Sequence, residues 1–141
     1  MKYKAIVIDD STIQCLATSV LVKNHPQLEF AGCYSDPYEG IKTIYDNKID
    51  IVFLDVLMEK VDAFELMDNV EIKSAIILNS TWSRFAVKAF EYGVNDFLIK
   101  PLPKAKFYRS VEKVIQQIES KKAFEKKIET YLFSETLSNL T

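Results

Sequence analysis

Ile51-Val52-Phe53-Leu54-Asp55 is the stretch on which the fold of this chain turns. Four consecutive apolar residues, preceded by Asp50 and closed by Asp55, have the pattern of a short strand covered on both faces, as in a parallel sheet. A carboxylate at the end of such a strand escapes burial only by projecting from the sheet's rim. In open α/β sheets, ligands bind at that rim, outside the carboxyl ends of the strands.

Working outward, four more runs share this form. Ala5–Ile8 ends on Asp9-Asp10, Leu28–Cys33 follows, Ala75–Leu78 ends on Asn79-Ser80-Thr81, and Asp96–Ile99 ends on Lys100-Pro101. Helical patterns lie between them. Ser11 with Gln14 three residues on reads as a capping box. Ile13, Leu16, Ala17, Val20 and Leu21 recur at helical spacing and are expected to face the core. His25-Pro26 ends that helix, because the residue before proline is pushed out of the helical region. Asp36-Pro37-Tyr38-Glu39 supplies N-cap, N1 proline and N3 acid to a second helix reaching about Asn47. A third runs from about Ala63 to Asn69. A fourth begins near Ser83, carries Ala86, Ala89 and Phe90 inward, and stops at Gly93. The last shows Phe107, Val111, Val114, Ile115 and Ile118 on one stripe. Strands alternating with helices predict an α/β fold: a five-stranded parallel sheet flanked by helices on both faces and wound by right-handed crossovers. The pattern alone does not give the strand order. Beyond Ile118 the stripe breaks, and a new one starts at Phe124, Ile128, Tyr131 and Leu132. Residues 1–120 therefore read as one domain, and 121–141 as a helical extension or the start of a linker.

Composition excludes several classes. The 141 residues suit one domain, and a net charge of −2 gives no global nucleic-acid signal, so no direct nucleic-acid contact is expected. No apolar run approaches the roughly 20 residues of a membrane span. The start leads straight into a strand rather than a signal peptide. With three glycines and no glycine-rich loop after a strand, dinucleotide and P-loop readings fail. Cys15 and Cys33 lack metal-ligand spacing and are expected to be buried thiols in a reducing cytoplasm.

The carboxyl ends of parallel strands share one edge, so Asp9, Asp10, Asp55, Ser80 and Lys100 gather there. Three bare carboxylates repel one another. A hard cation relieves this, and oxygen ligands with room for water suit Mg²⁺ at about 2.0–2.1 Å. A carboxylate can act as a nucleophile toward phosphorus, and the charge on the transferring oxygens then needs a metal, an ammonium and a hydroxyl around it. Taken singly, each residue has a structural explanation. Asp9-Asp10 could load a helix N-terminus, Ser80 could cap a turn, and Lys100 could be solvated. Those explanations do not predict all of them at successive strand ends.

The same residues resemble the receiver domains of bacterial two-component response regulators over about residues 3–119. Asp9-Asp10-Ser11 is similar to the family's acidic pair. Asp55-Val56-Leu57-Met58 followed by Asp62 to Leu66 resembles its phosphoacceptor strand and loop, and Lys100-Pro101 its lysine and usually cis proline. The resemblance implies strand order 2-1-3-4-5 and Mg²⁺ held by Asp9, Asp10, Asp55 and the backbone carbonyl of Leu57. It also implies phosphorylation of Asp55 by a sensor histidine kinase, with Lys100 and Ser80 (or Thr81) on the phosphoryl group, and slow self-catalysed hydrolysis. Ser80 and Phe97 are the implied switch pair. The implied output is the face of the fourth helix, fifth strand and fifth helix, carrying Tyr92 and Lys88. That face or the C-terminal helix would serve a homodimer. Ala86 to Pro101 is similar to receivers that precede LytTR-type DNA-binding domains, so the chain is either a stand-alone receiver or part of a longer regulator. Glu59 stands where the family has proline and Ala63 where it has glycine; a left-handed backbone at Ala63 would cost about 1 kcal/mol. Leu57 and Trp82 occupy the positions flanking the attacking water's path, which predicts slow hydrolysis. An aspartate-nucleophile phosphatase and a phosphorylation-independent interaction module are the alternatives.

Overall fold

Successive residues of a strand face opposite sides of its sheet, and the two halves of the core here follow that alternation strand by strand. In the computed structural model, which describes residues 1–140, β1 (Tyr3–Ile8), β2 (Leu28–Tyr34), β3 (Ile51–Asp55), β4 (Ala75–Ser80) and β5 (Asp96–Ile99) form one sheet in the order β2-β1-β3-β4-β5. Every pairing is parallel, and β3 is buried along its whole length. Ile6, Ile8, Val52, Leu54 and Leu78 pack toward α2 (Pro37–Asp46), α3 (Ala63–Asn69) and α4 (Ala86–Glu91), meeting Ile41, Phe64, Leu66 and Ala89. Ala5, Val7, Ile51, Phe53, Ile77 and Leu98 pack toward α1 (Thr12–Asn24) and α5 (Lys104–Leu140), meeting Val22, Phe107, Val111 and Val114.

The helix starts form as their caps dictate. The side chains of Ser11, Asp36 and Asp62 accept backbone N–H bonds from Gln14, Tyr38 and Glu65. Ala63 is simply the first residue of α3, and among the described residues none other than glycine has positive φ, so alanine there carries no left-handed strain. Gly93, at φ +78°, follows α4 as the sequence predicts. The first turn of the predicted fourth helix is a 3₁₀ turn, Ser83–Phe85. The Lys100-Pro101 bond is cis.

Three expectations fail. In α1 the predicted inner face points outward: Ile13 is 81%, Leu16 56% and Val20 55% exposed, Ala17 is exposed, and only Leu21 is half-buried. The buried face is Cys15, Thr18, Ser19 and Val22. The hydroxyl of Ser19 donates to the carbonyl of Cys15, 2.6 Å, so a small polar side chain enters the core with its bond satisfied. In α4, Phe90 is 50% exposed, because a helix of six residues presents only Ala89 to the core. Finally, Cys15 and Cys33 are not free thiols. Their sulfurs are bonded, across a Cα–Cα distance of 6.1 Å that lets a bridge close between α1 and β2.

α5 runs unbroken through residue 120. It is tied to the body by the Tyr3 hydroxyl, which donates to Glu119, and by the Asn95 amide, which donates to Gln117 at 3.0 Å. From residue 123 to 140 every residue is exposed, a projecting helix about 27 Å long. Thr141 lies outside the described residues. Among those described, no helix is long and apolar enough to cross a membrane.

Candidate functional site

The alternation that divides the core also aims the site. Asp55 has the parity of Ile51 and Phe53, Asp9 that of Ala5 and Val7, and Lys100 that of Leu98. All three therefore belong to the α1/α5 side of the sheet, at its carboxyl rim. Ser80 and Phe97 have the opposite parity. Phe97 packs against the core on the α4 side, and Ser80 is buried while Thr81 is exposed. The Ser80 hydroxyl oxygen accepts the backbone N–H of Trp82 at 3.0 Å.

Lys100 is the hub. Its ammonium donates to Asp9 Oδ2 at 2.6 Å, to Gln14 Oε1 at 2.5 Å and to Asp55 Oδ1 at 3.1 Å, with only 8% of the side chain exposed. A buried ammonium has three donors and needs three acceptors, and it finds them on α1, β3 and the end of β1. Gln14 escaped the sequence reading as a site residue. Its position predicts the return bond of a capping box, but the N–H of Ser11 goes to Asp9 Oδ1 at 3.0 Å instead, which frees the Gln14 side chain for Lys100. The only signal in the sequence was a polar side chain one turn after the acidic pair.

Asp9, Asp10 and Asp55 bring carboxylate oxygens within 4.8 Å of one another. Asp9 and Asp55 are buried and Asp10 is exposed. Asp10 Oδ2 accepts the N–H of Glu59 at 2.7 Å, so the residue that departs from the family pattern steadies the acidic pair through its backbone. Asp36 pairs with Lys60 at 2.9 Å across the same loop. The Asp55 carboxyl is pushed up from the ordinary 3.8 to about 6. Burial is the main cause. Lys100 pulls the other way, and the charges of Asp9 and Asp10 add to the rise. With all groups ionised, three carboxylates and one ammonium leave this rim at −2. The oxygen spacing suits a small dication, whose opposite octahedral ligands stand about 4.2 Å apart. Leu57 and Trp82 are half-exposed on the loops after β3 and β4, with the Arg84 guanidinium 4.7 Å over the indole.

A profile of the response regulator receiver domain matches residues 5–112. The chain belongs to this family. Protein MrkE of Klebsiella pneumoniae is 28% identical over 116 residues, covering 80% of this chain and 43% of that protein. Transcriptional regulatory protein YpdB of Escherichia coli K12 is 28% identical over 114 residues, covering 79% and 47%. The chain thus spans less than half the length of these curated relatives. The crystal structure of the response regulatory domain of MrkE superposes with a TM-score of 0.73 over 83% of this chain and 98% of that one, at 28% identity. A two-component response regulator from Clostridium difficile shares the fold, with a TM-score of 0.71 at 21% identity. This receiver domain therefore has the five-stranded α/β architecture and strand order expected of it.

On the face expected for output, Tyr92 and Lys88 do not stand free. Tyr92 donates to Asp68 at 2.9 Å, and both residues lie on the ring of Phe64, with the Lys88 amine 4.4 Å from its centroid. The exposed apolar groups there are Val87, Phe90 and Ile99.

Proposed function

We propose that this receiver accepts a phosphoryl group on Asp55 from a histidine kinase in the cytoplasm and relays that state to a partner surface. The supporting observation is the Asp55 carboxylate, set at the rim beside the Lys100 ammonium and the Asp9-Asp10 pair. An oxygen of Asp55 attacks phosphorus, the phosphorus–nitrogen bond of a phosphohistidine breaks, and the imidazole leaves with the electron pair. Lys100 neutralises one transferring oxygen and the Ser80 hydroxyl donates to another. Asp9, Asp10, Asp55 and the Leu57 carbonyl would hold Mg²⁺, which would supply further charge neutralisation. The raised pKa of Asp55 describes the metal-free pocket; a bound dication favours the ionised, nucleophilic form.

Because Ser80 and Phe97 share the α4 side, drawing Ser80 toward a phosphoryl group alters the packing beneath Phe97. The responding face is α4, β5 and α5. A second copy would dock through it, or through the exposed end of α5. The apolar stripe of Ile13, Leu16, Ala17 and Val20 lies just past Asp9-Asp10-Ser11, where a kinase must approach to present its phosphohistidine. Relatives named as transcriptional regulators support a gene-regulatory output carried outside residues 1–141.

Incubation with acetyl phosphate tests this reading. Mg²⁺-dependent labelling on Asp55, absent in Asp55→Asn and strongly reduced in Lys100→Ala, is the expected outcome. Labelling that survives Asp55→Asn refutes it, and steady turnover of small phosphate esters would favour a phosphatase.

A further inference from the structure

We propose that Cys15 and Cys33 form a reversible thiol–disulfide site, oxidised by hydrogen peroxide, that sets how firmly the start of α1 holds the Lys100 amine. The inference rests on the cytoplasmic receiver function proposed above. These are the chain's only cysteines, so the pair has no competing partner within it. Cys33 lies on β2, the edge strand, and is half-buried, while Cys15 is 1% exposed in the second turn of α1. Cys33 is thus the more exposed of the two, and Cys15 is enclosed by the core.

A structural staple is a poor explanation. Domains that depend on disulfides are those too small to build a core, and this one has a core on each side of its sheet. In a reducing compartment a disulfide is typically transient, catalytic or redox-sensing.

The bond's location links it to the pocket. Cys33 is paired in register with Val7, and the Cys15 sulfur lies 3.9 Å from the Val7 carbonyl oxygen. Asp9 follows Val7 by two residues. Gln14, the third acceptor of Lys100, immediately precedes Cys15. The N–H of Cys15 bonds the Ser11 carbonyl at 2.8 Å, and the N–H of Ser11 bonds Asp9. The bridge therefore pins the helix turn that carries Gln14 onto the strand pair that carries Asp9.

In the forward step, the Cys33 thiolate attacks one peroxide oxygen. A sulfur–oxygen bond forms, the oxygen–oxygen bond breaks, and the leaving hydroxide takes a proton to become water. The Cys15 thiol then gives up its proton, and its sulfur attacks the Cys33 sulfenic sulfur. The disulfide forms and a second water leaves. Two thiols are oxidised by two electrons and one peroxide is reduced to two waters. A dithiol reductant reverses the change by thiol–disulfide exchange.

The test compares the full chain after peroxide and after dithiothreitol, with Cys33→Ser as the control. Alkylation under denaturing conditions followed by mass measurement should find both cysteines modified in the reduced chain and neither in the oxidised one. Acetyl phosphate labelling of Asp55 should be about threefold faster in the oxidised chain, where the amine's partners are held in place. Cys33→Ser should match the reduced chain and ignore peroxide. Peroxide that leaves both cysteines alkylatable overturns the proposal, as do equal labelling rates in the two states. Should Asp55 label in neither state, the phosphoacceptor reading falls. The redox site is then judged by amide exchange at Gln14 and Cys15: slower exchange in the oxidised chain upholds it, and equal exchange overturns it.

Discussion

The crowding of carboxylates at the rim predicts a particular pH signature for Asp55→Asn in metal-free protein. A carboxyl raised from 3.8 in the unfolded chain to about 6 in the fold costs nothing while protonated and destabilises the fold once ionised. The stability tied to this group is thus intact below the unfolded value and is lost as pH rises through about 6. At 1.36 kcal/mol per unit, the full cost is about 3 kcal/mol at pH 8 and about half that at pH 5. Wild-type protein in EDTA should therefore lose about 1.4 kcal/mol more than Asp55→Asn between pH 5 and pH 8. The asparagine offers Lys100 a neutral acceptor in place of a charged one, and that amine keeps Asp9 and Gln14. The attraction of Lys100 for the ionised carboxylate is already contained in the value of about 6 and needs no separate correction. His25, whose pKa burial lowers, titrates alike in both proteins and cancels. Urea unfolding at the two pH values measures the difference. Parallel stabilities for the two proteins, or a wild type that gains on the variant as pH rises, would refute the assignment of Asp55 as the strained carboxylate. Mg²⁺ at 100-fold over its dissociation constant should then add about 2.7 kcal/mol to the wild type and less to Asp55→Asn.

Four further outcomes are expected. Gln14→Leu leaves Lys100 one acceptor short; it should cost about 1–3 kcal/mol in unfolding free energy and slow acetyl phosphate labelling, read by urea titration and phosphoprotein assay. Leu57→Asn and Trp82→Ala should each speed loss of the Asp55 phosphoryl group by opening the water's path, followed as phosphoprotein decay after the donor is removed. Ile13→Asp with Leu16→Asp should slow transfer from a phosphorylated histidine kinase while leaving acetyl phosphate labelling unchanged, since the exposed stripe lies outside the pocket. Ile128→Glu should abolish any self-association that light scattering detects in the wild type if the projecting end of α5 is the interface, and leave it intact if α4, β5 and α5 form it.

Much of this was legible in the residues because the strands are short apolar runs buried on both faces, which leaves no question of which side faces in. Asp9, Asp10, Asp55 and Lys100 could be gathered on one rim from parallel topology alone. Asp36-Pro37 and Asp62-Ala63 marked their helix starts because a cap is a local interaction. Long-range partnerships were not legible. Gln14 meets Lys100 across 86 positions of chain, and nothing near either residue announces it. Cys15 and Cys33 were misjudged for a related reason: spacing in sequence says nothing about whether a helix and an edge strand bring two sulfurs together.

The reversal of α1 is the instructive failure. A 3.6-residue period reveals an apolar face without saying what covers it. At 100° per residue, Cys15, Thr18, Ser19 and Val22 cluster on one side, Ile13, Leu16, Ala17 and Val20 lie almost directly opposite, and Gln14 sits between them at the edge of the buried face. Burying Cys15, Thr18, Ser19 and Val22 against the sheet therefore turns the apolar stripe to solvent. Burying that stripe would carry Gln14 away from the amine and leave a buried donor unsatisfied. The rotation of α1 goes with the small side chains it buries, its bond to Cys33 and the Gln14–Lys100 hydrogen bond at the rim, and it leaves the apolar surface beside Asp9-Asp10 exposed.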